Sequence, residues 1–208
     1  MHYLNESKPI YIGKIKTSEK ELRDLLKAWV AISIAFAIMM RSSLNLSFYQ
    51  TFIISFITVG TGFLLHELGH KFVAQRYGCF AEFRSFDQML VMAILMSFLG
   101  FLFAAPGAVM ITGPVGRSRN GKISAAGPVI NLILAFIFLA SLFLNPAGII
   151  KIICLYGFLV NSWLALFNMI PIWNFDGVKI LAWNKIAYGI IVAISLLFLF
   201  LQNFISMI

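Results

Sequence analysis

The sequence predicts an all-α polytopic membrane protein: five transmembrane helices, one re-entrant or membrane-lying element, and a small β-hairpin or sheet. Three observations carry that prediction. Of the 208 residues, 61% are hydrophobic and only 12% charged, about half the charge of an average soluble domain. The apolar residues gather into six blocks, most of them long enough for a hydrocarbon core about 30 Å thick. Lys and Arg fall between those blocks with a strong bias toward one side.

Residues 1–27 mix Lys, Arg, Asp and Glu before any apolar run begins. They are expected to form a cytoplasmic N-terminal segment and not a signal peptide, whose apolar region would start sooner. Residues 28–208 are then one membrane-embedded domain with its core at residues 50–180. The apolar blocks cover residues 25–40, 48–77, 89–104, 123–144, 148–170 and 186–208. The first ends at Arg41, whose stem can snorkel to an interface. Asn145-Pro146 closes the fourth and Pro171 the fifth. Residues 81–86 and 108–112 flank the third block; both are rich in β-forming side chains and bounded by Gly or Pro, so they pair as strands or remain irregular loop.

The net charge of +8 does not imply nucleic acid. No basic run is interleaved with exposed aromatics, and cytoplasmic loops carry Lys and Arg for topological reasons. Cys79 and Cys154 have no metal or redox spacing, and Cys154 sits in an apolar run as a small core residue.

Because charge is scarce, its exceptions are informative. After Asp24 the only acids are Glu67, Glu82, Asp87 and Asp176, and the only histidines are His66 and His70. Both histidines and one acid therefore fall in Leu65-His66-Glu67-Leu68-Gly69-His70, inside a hydrophobic segment. On a helix His66 and His70 stand one turn apart on one face, so two imidazole nitrogens can converge on one ion. Glu67 lies beside them, where it can take a proton from a metal-bound water. An unpaired acid at the bilayer centre costs about 2.5–3.5 kcal/mol on insertion scales, which a divalent cation would offset.

Catalytic zinc takes three protein ligands and keeps one position open. Asp176 is the candidate third ligand, since Glu82 and Asp87 lie in a polar loop near Arg84; the alternative is an interfacial Asp that caps the next helix. Asn131 and Asn168 are polar positions in otherwise apolar spans. Their roles are either helix-to-helix hydrogen bonds or contact with an unwound substrate and its oxyanion.

HELGH (residues 66–70), AAGPVIN (125–131) and NMIPIWNFDG (168–177), in that order, resemble the site-2 protease family of intramembrane zinc metalloproteases. Phe175 stands where that family often has Leu or Met. The resemblance implies His66, His70 and Asp176 as ligands of one Zn²⁺ per chain and Glu67 as catalytic base. It also implies a transmembrane protein as substrate, a site in the bilayer near the cytoplasmic face, and residence in a cell membrane, here of a prokaryote. A zinc transporter would carry ligands along a path through several spans, and a catalytically inactive member would bind without cutting. The residues carry no signal for an oligomeric state.

The topology follows if the ligands meet at one depth. The second block brings His66 to the cytoplasmic side, so the third must enter and leave on that side. Sixteen residues (89–104) make a helix of about 24 Å, too short to cross twice, so residues 88–105 are expected to be re-entrant or membrane-lying. That arrangement puts fourteen Lys and Arg inside and only Arg41 and Lys151 outside, as the positive-inside rule requires.

Overall fold

The structure is a computed structural model that describes residues 9–13, 15–101 and 106–205. It opens with a hairpin of β1 (Pro9–Ile12) and β2 (Ile15–Ser18), followed by α1 (Glu19–Leu44). Ser18 caps α1, its hydroxyl accepting from the Glu21 N–H, and Glu19 and Glu21 suit the positive end of the helix. The boundary expected at residue 27 falls inside α1. Thr17, Glu21 and Asp24 are buried, so this charged stretch packs against the body.

Next come α2 (Phe48–Ser55), a π-helical turn (Phe56–Gly60) and α3 (Thr61–Arg76), which run on as one rod. Trp29 of α1 stacks on Phe56, with centroids 4.2 Å apart, and donates its indole N–H to the Phe56 carbonyl at 3.1 Å. The Phe56 carbonyl accepts the Thr61 N–H in the π turn and also the Thr61 hydroxyl at 3.1 Å.

The expected strands form. β3 (Phe80–Ser85) and β4 (Gly107–Thr112) pair antiparallel, from Phe80 opposite Thr112 to Ser85 opposite Gly107. That register brings residues 86 and 106 together, so the segment between them leaves and returns at one place. It contains α4 (Asp87–Ser97), which at 1.5 Å per residue is only about 16 Å long. Part of the segment expected to be re-entrant, residues 102–105, lies outside the described residues. Leu90 and Ala93 of α4 are buried, and Leu90 packs with Leu25, Ala28 and Phe83, while Val91, Leu95 and Leu99 are exposed. Lys27 bonds Asp87 at 2.8 Å; its ammonium, helped by the Ser85 hydroxyl, holds that exposed carboxyl below the usual carboxylate range.

The chain ends with α5 (Arg117–Leu142), α6 (Gly148–Asn168), α7 (Asp176–Trp183) and α8 (Lys185–Ile205). Among the described residues, four segments are long and apolar enough to cross a membrane: Phe48–Arg76, Arg117–Leu142, Gly148–Asn168 and Lys185–Ile205. The sequence led us to expect five. The first block does fold as helix, but α1 carries Glu19, Lys20, Glu21, Arg23, Asp24 and Lys27 along its first half. Large apolar side chains such as Ile133, Phe136, Ile190 and Phe200 face outward on these helices, as a lipid-facing surface requires and a water-facing one does not.

Candidate metal centre

α3 is the frame of the site. His66 and His70, one turn apart, are both buried, with their rings 4.7 Å apart and nearly perpendicular. Across from them α5 carries Gly127 and Pro128. A Cβ at Gly127 would come within 2.6 Å of both imidazoles, so only glycine lets the two helices approach this closely.

The third group arrives from a different part of the chain. After α6 the chain turns through Pro171 and Trp173, the latter in the left-handed region at φ 52°, and enters α7 at Asp176. Two contacts hold this turn. The Tyr188 hydroxyl donates to the Met169 carbonyl at 2.9 Å, and Gly177 sits so close to the Met169 backbone that a Cβ there would overlap it. Gly177→Ala should therefore displace Asp176 at a steric cost of about 1–3 kcal/mol, read as a lower unfolding temperature in detergent. Asp176 is buried at the start of α7, where the helix dipole favours its charge.

His66 Nε2 lies 3.4 Å and His70 Nε2 3.1 Å from Asp176 Oδ2. Ligands about 2.0–2.2 Å from a tetrahedral zinc are about 3.3 Å from one another, so these two spacings fit a shared ion. The other ring nitrogens are occupied. His70 Nδ1 is 2.8 Å from the Ile123 carbonyl, which can only accept, and His66 Nδ1 is 2.6 Å from Asn131 Oδ1. A ring with its proton on Nδ1 and none on Nε2 turns a lone pair toward the Asp176 carboxylate. Two imidazoles with one carboxylate are a donor set that zinc takes. Among the described residues, His66, His70 and Asp176 are the only group of three or more His, Cys, Asp or Glu whose ligand atoms converge this way, all within 4.8 Å of one another.

Glu67 stands beside this group, and its Oε2 accepts the Val109 N–H of β4 at 3.2 Å. Glu82 pairs with Arg84 and Asp87 with Lys27, so both other acids are engaged elsewhere. Asn131 is fully buried and spends both amide hydrogens, on the Gly62 carbonyl at 3.1 Å and on Asn161 Oδ1 at 3.0 Å; none is left for a substrate. Asn168 donates to the Leu164 carbonyl of its own helix. The Ile123 carbonyl and Val109 amide could not be foreseen, being backbone groups. Asn161 could have been, as an amide in an apolar block.

A protein of Methanocaldococcus jannaschii named "Putative zinc metalloprotease" is 41% identical to the chain over 177 residues, 84% of this chain and 90% of that protein. The chain belongs to this zinc metalloprotease family. A second protein of that organism, named "Zinc metalloprotease", is 29% identical over 131 residues, 62% of this chain but 32% of its own length. No protein-family model and no solved structure matches the chain.

Proposed function

We propose that the chain is an intramembrane zinc metalloprotease of the site-2 type, hydrolysing peptide bonds within or near transmembrane segments of other membrane proteins. The observation that carries this reading is the convergence of His66, His70 and Asp176 among helices apolar enough to cross a membrane. In this reading His66, His70 and Asp176 would hold one zinc ion. Zinc there would polarise a peptide carbonyl and make water a stronger nucleophile.

Glu67 takes the proton of the attacking water as its oxygen adds to the scissile carbon. It returns that proton to the amine nitrogen as the C–N bond breaks. The Val109 N–H holds the carboxylate for this work. Asn168 is the candidate donor to the developing oxyanion. Asn131 serves instead to orient His66.

α1 crosses as a fifth span in this arrangement, with its charged start and the N-terminus on the cytoplasmic side. α4 lies in the bilayer at that side and contacts the substrate, whose helix must unwind locally to expose a peptide bond. Zinc analysis of purified protein, with cleavage of a model transmembrane substrate, tests the reading. Chelation should abolish cleavage and added zinc restore it, and Asp176→Ala should weaken zinc at least about 100-fold. Full cleavage by metal-free protein, or zinc held normally by Asp176→Ala, would overturn it.

A further inference from the structure

We propose that Asn161 is a positioning residue for the metal centre, setting through Asn131 which nitrogen of His66 faces the ion. The inference rests on the metal-site reading above. It begins from two backbone carbonyls, which can only accept. Asn161 Nδ2 lies 2.9 Å from the Gly157 carbonyl, so the nitrogen of this amide must point there and its oxygen must point away, toward Asn131. Asn131 Nδ2 lies 3.1 Å from the Gly62 carbonyl and 3.0 Å from Asn161 Oδ1. Two acceptors therefore hold the nitrogen of Asn131 in place, and its oxygen is left to face His66 Nδ1 at 2.6 Å.

An oxygen there accepts only from a protonated Nδ1. The neutral ring must then present an unprotonated Nε2 to Asp176 and the ion. Were the Asn131 amide reversed, its N–H groups would meet Nδ1, and the tautomer with a proton on Nε2 would be favoured, which cannot bind metal through that atom.

The relay crosses three helices, α6 to α5 to α3, and all its side chains are buried: Asn161 and Asn131 at 0% exposure and His66 at 5%. Gly62 shares in it by its shape. A Cβ on that residue would overlap Asn161 Oδ1, so only glycine admits the Asn161 oxygen beside α3. Hydrogen-bonded amides between membrane helices need no function to explain them. This chain of bonds, however, has an orientation at every link and ends on a metal-facing ring.

Zinc competition with a chelator, on full-length protein in detergent, tests the proposal. Asn161→Leu removes the acceptor and should weaken zinc about 10–100-fold. Asn161→Ala replaces Asn161→Leu if the latter does not fold.

Nitrogen NMR of histidine-labelled, metal-free protein should show one His66 tautomer in wild type and a mixture in Asn161→Leu. An unchanged tautomer and zinc affinity in Asn161→Leu would overturn the inference. Failure of wild type to bind zinc would instead overturn the metal-site reading itself.

Discussion

Glu67→Gln is expected to retain zinc at the wild-type level and to cleave a transmembrane substrate about 10²–10⁴-fold more slowly. The two halves of that expectation have separate causes. Glu67 lies outside the group formed by His66, His70 and Asp176, so replacing it removes no ligand. Glutamine has the same length and its amide oxygen can still accept the Val109 N–H that Glu67 accepts at 3.2 Å, so β4 stays in place. What glutamine cannot do is take a proton from water and return it to the leaving amine. Zinc content and single-turnover cleavage of the same preparation separate the two effects. Cleavage retained at the wild-type rate would sink the role given to Glu67, and zinc lost with activity would make Glu67 a ligand instead.

The parts of this site that the sequence reveals are those whose cost is visible locally. An acid and two imidazoles inside an apolar run are expensive wherever they sit, so HELGH stands out without any knowledge of the fold. The β3–β4 pair is readable for a related reason, since its β-forming residues are bounded by Gly and Pro. Asp176 could be singled out because few acids compete with it, yet its aim depends on the Gly177–Met169 approach and on Tyr188, which only the folded chain brings together.

The N-terminal segment is harder to read, for the opposite reason. Glu19 to Lys27 look like a solvated, charged stretch, and the partner that buries Glu21 lies fifty residues further on. Lys71 illustrates the same limit. Counted with the cytoplasmic charges that set topology, it is in fact buried, its charge matched by Glu21.

That buried pair sets the second large effect. Lys71→Met is expected to destabilise the protein by about 3–5 kcal/mol, because it leaves the carboxylate of Glu21 buried without its counter-charge. Lys71 Nζ lies 2.5 Å from Glu21 Oε2, with the two side chains 2% and 0% exposed. Around the pair, the Thr17 hydroxyl donates to Oε2 at 2.7 Å and the Phe83 N–H to Oε1 at 2.9 Å. One carboxylate thus ties β2, α1, α3 and β3 together immediately behind His70.

Lys71→Met with Glu21→Gln should recover most of the loss, since a neutral amide can still accept from Phe83 and no unpaired charge remains. Thermal unfolding in detergent, followed by tryptophan fluorescence, should therefore rank wild type first, the double variant second and Lys71→Met last. A double variant no more stable than Lys71→Met would mean that packing of the lysine stem, and not the charge, holds this corner. The order also bears on catalysis. Phe83 lies directly opposite Val109 in the sheet, and Val109 holds Glu67, so loosening Glu21 from β3 reaches the base through a single strand pair.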